Sequence, residues 1–321
     1  MSPSTPQPPE VLLLRPLLPS FDAALSGKFR FVKTWESPLP LHDYLAQRAA
    51  SIRVLLCSSL QPVPPDVIDR LPALKLIVGS SVGLDHIDLA ACRRLGIAVT
   101  NAGSVFTDDT ADYAVGLLID VLRHISASDR YVRQGFWPLM GDYPFSSKLS
   151  GKRVGIVGLG SIGSAIAKRL EAFGCPILYH SRTMKQSVSY KYFANVCDLA
   201  SESDILIISC ALTDETFHII DKKVMLALGK HGVIINVGRG PLIDEKELVK
   251  CLMQGEIGGA GLDVFENEPV VPEELFKMDN VVLSGHSAVL TPESFHDLLE
   301  LITANLEAFF SNKPLASPVA L

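Results

Sequence analysis

A glycine-rich turn sits mid-chain between an apolar run and a helical pattern. RVGIVG (153–158) leads into LGSIGSAIAKRLEAFG, and CPILYHS (175–181) follows. Strand, Gly158-x-Gly160-x-x-Gly163, helix and second strand, in that order, restrict this stretch to a βαβ unit with its turn at the carboxyl end of the first strand. The first glycine makes the tight turn, the second admits a pyrophosphate against the backbone, and the third lets helix pack on strand. The helix N-terminus that follows offers N–H groups to phosphates. A turn without a ligand leaves this combination unexplained, so the stretch predicts a bound dinucleotide.

The second strand then identifies the nucleotide. A carboxylate at its end would accept both ribose hydroxyls of NAD. This chain has Ser181, Arg182 and Thr183 there, with Lys185 close behind. An acid repels a 2′-phosphate, whereas these groups donate to one, each charge-assisted bond contributing about 1.5–3 kcal/mol. NADPH is therefore expected over NADH; a solvated, indifferent turn is the competing reading.

Short apolar runs alternate with helical patterns elsewhere too, which predicts an α/β protein with parallel sheets. Strands are expected at 11–15, 52–57, 74–79 and 97–101, and six more at 153–158, 175–181, 204–210, 232–238, 258–265 and 280–285. One long helix is expected from Thr107 to Gln134, acidic at its start and basic at its end. The nucleotide unit thus interrupts another domain, to which the last helix returns. This predicts a substrate domain of 1–103 with 291–321, a nucleotide domain of 104–290, and a hinged cleft.

With 321 residues, 48% of them apolar, the chain has enough material for two cores. Its net charge of −6 argues against bulk affinity for nucleic acid or an anionic membrane, so an anionic substrate needs local counter-charge. The six cysteines are scattered without a C-x-x-C pair and read as buried reduced thiols, with no metal site expected. MSPSTPQPPE lacks the charge and apolar core of a leader and reads as a loose tail, making the cytosol the expected compartment.

Three ionisable side chains follow successive strands of the second set. Arg239 follows GVIINVG, Glu268 lies just beyond GGAGLDVF, and His286 ends NVVLSG. A surface arginine, a turn glutamate and a structural histidine would each be ordinary alone. Gathered at the mouth of one parallel sheet, they suit hydride transfer to a 2-oxo acid. A protonated imidazole gives its proton to the ketone oxygen, and a carboxylate on the other ring nitrogen orients it. A guanidinium fork binds the substrate carboxylate and polarises the reacting carbonyl. The loop SSVGLDH (80–86) offers the Val82 and Gly83 amides to the same carboxylate, or is a plain strand-to-helix turn.

SSVGLDHIDLAAC, TDDTADYAVGLL, the glycine turn, INVGRGPLIDEKELV, GGAGLDVFENEP and NVVLSGH form an ordered set running from about Leu74 onward. That set resembles the D-isomer-specific 2-hydroxyacid dehydrogenases, and within them the cytosolic, NADPH-preferring plant glyoxylate/hydroxypyruvate reductases. The resemblance implies a doubly wound Rossmann domain inserted into a flavodoxin-like substrate domain. It implies Arg239, Glu268 and His286 as the catalytic trio, and hydroxypyruvate, glyoxylate and pyruvate as substrates. Asp263 is implied as a contact to the nicotinamide amide. Thr110, Ser161, Ile162, Leu212 and Val237 are implied along the cofactor. A homodimer through the nucleotide domain is implied as well. There Trp137 reaches the partner's active site or, the preferred reading, packs in the interface.

The chain departs from the family pattern twice. Gly285 replaces the usual proline before His286, which predicts a looser loop, and Ala211 replaces the proline before Leu212 and Thr213. A 4-hydroxyphenylpyruvate reductase shares these motifs and needs an apolar wall for a ring. A dinucleotide-sensing corepressor shares the fold, but the intact trio and the non-acidic turn count against it. A phosphoglycerate dehydrogenase is disfavoured because no regulatory domain follows.

Overall fold

The structure is a computed structural model that describes residues 8–58 and 62–321. The first seven residues of the expected loose tail lie outside the described residues. The chain divides into two compact units: one runs through Phe106 and resumes at Thr291, and the other is Thr107–Leu290.

The first unit is built on a parallel sheet of β1 (Glu10–Leu13), β2 (Arg30–Lys33), β3 (Val54–Cys57), β4 (Leu76–Gly79) and β5 (Ala98–Thr100), in the order β2-β1-β3-β4-β5. This is the flavodoxin-like strand order. β3 and β4 are buried along their whole length, as inner strands covered on both faces must be. The final helix, Pro292–Phe310, packs in this unit beside β4 and buries Leu298, Ile302 and Leu306. β2 was not expected from the sequence. As an edge strand it buries only Val32 fully, so RFVK carries no continuous apolar run.

The second unit holds seven parallel strands: β6 (Val154–Val157), β7 (Ile177–His180), β8 (Lys191–Phe193), β9 (Ile205–Ile208), β10 (Val233–Asn236), β11 (Gly259–Leu262) and β12 (Val281–Leu283). Their order is β12-β11-β10-β9-β6-β7-β8, with every pairing parallel. The chain leaves β6 towards one edge, through β7 and β8, and returns to its other side at β9. That reversal places the switch point of a doubly wound sheet beside β6, where the glycine turn begins. The sequence pattern had suggested six strands. The seventh is β8, an edge strand with no fully buried residue.

The single helix expected over 107–134 is two helices, Thr107–Arg123 and Ile125–Arg133. His124 between them adopts a left-handed backbone, φ 52°. Asp120 recaptures the broken end by accepting hydrogen bonds from the Ser126 amide (2.8 Å) and from its hydroxyl. Charge bias at the two ends of 107–134 is blind to such an interior cap.

Candidate active site

Because the second sheet is wholly parallel, the segments after β6, β7, β10, β11 and β12 all emerge from one edge. The glycine turn follows β6. Gly158 has φ 99°, and a Cβ there would lie 2.6 Å from the Cys210 backbone. Gly163 approaches closer still, 2.1 Å from the Gly158 carbonyl oxygen for an added Cβ. Gly160, at the N-cap of helix Ser161–Glu171, faces open space. Tight first and third positions with an open second form the cradle a pyrophosphate needs. The Ser209 hydroxyl donates to the Gly158 carbonyl at 2.9 Å and fixes the turn from β9's end.

Beyond β7, Arg182 and Thr183 are exposed and Ser181 and Lys185 are half-buried. The turn is shaped by the Ser181 hydroxyl donating to the Thr183 carbonyl (2.7 Å), and by the Tyr179 hydroxyl accepting from the Lys185 amide (2.8 Å). Ser181's proton is thus committed within the turn, whose cationic donors are Arg182 and Lys185. Glu215, in the segment after β9, was not singled out from the sequence. Its carboxyl is held below the ordinary range by the Thr213 hydroxyl (2.7 Å), its own backbone amide and the charge of Arg182.

Four of the remaining cofactor candidates, Ser161, Ile162, Leu212 and Val237, follow strands at the same edge. Val237 is buried at β10's end, Ile162 and Leu212 are half-buried, and Ser161 is exposed. Thr110 is buried on helix Thr107–Arg123. Ala211's carbonyl accepts from the Thr216 hydroxyl at 2.7 Å. In the first unit, the Val82 carbonyl accepts from Asn101 (3.0 Å) and the Gly83 carbonyl from Ser81 (2.8 Å). Trp137 is 56% exposed, its indole N–H donating to Asp142 at 3.1 Å.

The structure brings His286 and Glu268 together: imidazole Nδ1 lies 2.9 Å from Glu268 Oε2, and the Phe265 amide donates to Oε1 at 3.1 Å. Burial pushes the Glu268 carboxyl up. The bond and charge of His286, the Phe265 amide and the nearby charge of Arg239 outweigh it, leaving the group below its ordinary value. Arg239 leaves β10 with its guanidinium 2.9 Å from the Gly238 carbonyl, while Asn236, buried in the strand, accepts from the Gly238 amide (3.0 Å) and donates to the Arg239 carbonyl (2.9 Å).

Gly240 explains the R-G pair. A Cβ there would lie 1.8 Å from the Phe265 carbonyl carbon and 2.3 Å from the Glu266 amide nitrogen. The segment carrying Arg239 therefore rests directly on the segment carrying Glu268. Gly240→Ala must drive the two apart. It is expected to lower kcat/KM on the order of a hundredfold, with NADPH affinity in a fluorescence titration largely kept. Activity near wild type would show that the contact is not needed.

The loop of His286 is also fixed from below. His286 has a left-handed backbone, φ 54°. Its amide donates to the Asp263 carbonyl at 2.7 Å, and the Ser284 amide donates to Leu262 at 2.9 Å. The buried Asp263 carboxylate accepts from the Ser284 hydroxyl (2.7 Å), the Ser287 amide (2.7 Å) and the Ala288 amide (3.1 Å). These bonds lie on both sides of Gly285, where an added Cβ would meet nothing within 4 Å. The looseness expected of a glycine is thus opposed by its neighbours' bonds. This role of Asp263 had no sequence signal, because two of its three donors are backbone amides.

A family profile described as "D-isomer specific 2-hydroxyacid dehydrogenase, NAD binding domain" matches residues 115–288. The chain is 57% identical to a glyoxylate/hydroxypyruvate reductase of Arabidopsis thaliana, over 98% of each. It is 49% identical to a hydroxyphenylpyruvate reductase of Plectranthus scutellarioides, over 96% of this chain and 98% of that one. An NADPH-dependent glyoxylate/hydroxypyruvate reductase from Sinorhizobium meliloti, crystallised with NADP and malonate, superposes with a TM-score of 0.89 at 37% identity, covering 98% and 97% of the two chains.

Proposed function

Since the chain belongs to the D-isomer-specific 2-hydroxyacid dehydrogenase family, we propose that it reduces small 2-oxo acids to D-2-hydroxy acids with NADPH. Hydroxypyruvate and glyoxylate are the main substrates and pyruvate a further one. The observation that carries this reading is the 2.9 Å contact between His286 Nδ1 and Glu268 at the edge that also bears the glycine cradle.

Bound NADPH supplies a hydride to the substrate's carbonyl carbon. The glycine turn and the helix N-terminus hold its pyrophosphate, Arg182 its 2′-phosphate, and Thr110, Leu212 and Val237 its remaining length. The chain's own chemistry concerns oxygen. With Nδ1 engaged by Glu268, His286 presents Nε2 to the substrate and gives up its proton there as negative charge develops on the carbonyl oxygen. Glu268 stabilises the imidazolium that precedes this transfer and keeps the ring's orientation afterwards. Arg239 clamps the substrate carboxylate and polarises the C=O. In the first unit, the Val82 and Gly83 amides, whose carbonyls accept from Asn101 and Ser81, are that unit's own candidates for an anion.

Exposed apolar side chains at Ile125, Val132, Trp137, Leu139 and Met140 support a second copy of the chain as partner through this unit, with Trp137 packing in the interface. Six free thiols support a reducing compartment such as the cytosol. Among the described residues no helix is long and apolar enough to cross a membrane.

The phosphate grip has its own test. Arg182→Ala is expected to raise the KM for NADPH about tenfold, and Ser181→Asp added to it to bring NADH to parity. An unaltered NADPH/NADH ratio of kcat/KM would remove the turn from cofactor choice. A second substrate reading, 4-hydroxyphenylpyruvate, is favoured by the identity to the Plectranthus enzyme. A steady-state panel of hydroxypyruvate, glyoxylate, pyruvate and 4-hydroxyphenylpyruvate with each nucleotide decides. Turnover of the small acids with NADPH is expected; turnover of none of the four would overturn the assignment.

A further inference from the structure

We propose that Asp263 is a positioning residue for the reduction, its buried carboxylate fixing the backbone that carries His286 and thereby aiming the imidazole. The inference rests on the reading of His286 as the proton donor.

Asp263 follows β11 and is 1% exposed. A carboxylate withdrawn from water needs its oxygens satisfied. Here Oδ1 accepts from the Ser284 hydroxyl and the Ser287 amide, both at 2.7 Å, and Oδ2 accepts from the Ala288 amide at 3.1 Å. The Asp263 carbonyl takes the amide between, that of His286, at 2.7 Å. Three consecutive amides, 286 to 288, therefore converge on one residue, with a left-handed residue at their head. Two of them, 287 and 288, cradle the carboxylate as a backbone nest cradles an anion, while the first is taken by the neutral main-chain carbonyl of the same residue.

The nest has a consequence for the chemistry. A histidine at φ 54° lies where few non-glycine residues rest unless their surroundings hold them. Glu268 fixes one ring nitrogen but leaves the ring free to swing with its backbone. Asp263 removes that freedom from the backbone side. Both restraints issue from the end of β11, five residues apart, so ring and main chain are referred to the same strand end. An imidazole misplaced by about 1 Å loses on the order of a hundredfold in rate.

Asp263→Asn keeps shape but replaces an acceptor oxygen by a donor NH₂ facing amides that also donate. It is expected to lower kcat on the order of a hundredfold, with the KM for hydroxypyruvate and the Kd for NADPH within about threefold of wild type. Amide hydrogen exchange at 286–288 is expected to accelerate in the ligand-free enzyme. Ser284→Ala removes one bond and leaves the carboxylate in place; about a fivefold fall in kcat is expected, and this variant decides if Asp263→Asn fails to fold. Unchanged kcat in the variants overturns the proposal. So does a kcat loss matched by an equal loss of NADPH affinity with the three amides still protected, which would make Asp263 a cofactor contact only. Should His286→Ala stay active, the reading of His286 fails instead, and exchange at 286–288 still reports on the nest.

Discussion

His286→Ala is expected to reduce kcat for 2-oxo acids by about 10²–10⁴-fold while NADPH binds with near wild-type affinity. The imidazole serves the substrate oxygen, and no part of the glycine cradle depends on it. Steady-state turnover paired with a nucleotide fluorescence titration separates the two effects. Turnover within tenfold of wild type would take His286 out of the acid role. The pH profile of the wild-type enzyme should carry the same signature. Glu268 sits below its ordinary value of 4.5 when folded. The carboxylate's side of its contact with His286 is therefore ionised above that value and is lost as pH falls through the lowered one. The acid limb of kcat/KM is expected below 4.5, and the pair's share of folding stability fades over the same range.

Arg239→Ala is expected to lower kcat by about 10²–10³-fold and to raise the substrate KM as well. One side chain here does two things: it binds the carboxylate in the ground state and polarises the carbonyl as charge develops. Its charge also helps keep Glu268 ionised, so the acid limb should move up in the variant. Arg239→Lys keeps the charge without the planar fork and should fall between Ala and wild type. Loss of substrate affinity with kcat intact would confine Arg239 to binding.

Much of this site was legible because its chemistry sits where strands end. Arg239, Glu268 and His286 each come after an apolar strand, buried throughout at β10 and β11 and partly buried at the edge strand β12, and a parallel sheet brings such ends to one edge. The glycine turn was legible for the same reason, since close approach leaves only glycine at 158 and 163. What escaped notice lacks a side-chain signature. β2 and β8 are edge strands whose half-exposed sequences resemble loops. The break at His124 depends on Asp120 reaching an amide six residues on. Gly240 read as part of a family motif, and only the structure shows it pressed against the Phe265 backbone. The family resemblance pointed to Asp263 as a nicotinamide contact, and its carboxylate's three hydrogen bonds to the His286 loop carried no signal of their own.

The most direct trial of the account follows the hydride itself. Hydroxypyruvate reduced by the wild-type enzyme with NADPH doubly deuterated at nicotinamide C4 should yield a D-configured product carrying one deuterium at C2. A product without deuterium at that carbon, or one of the opposite hand, would contradict hydride delivery to a carbonyl held by Arg239 and protonated by His286.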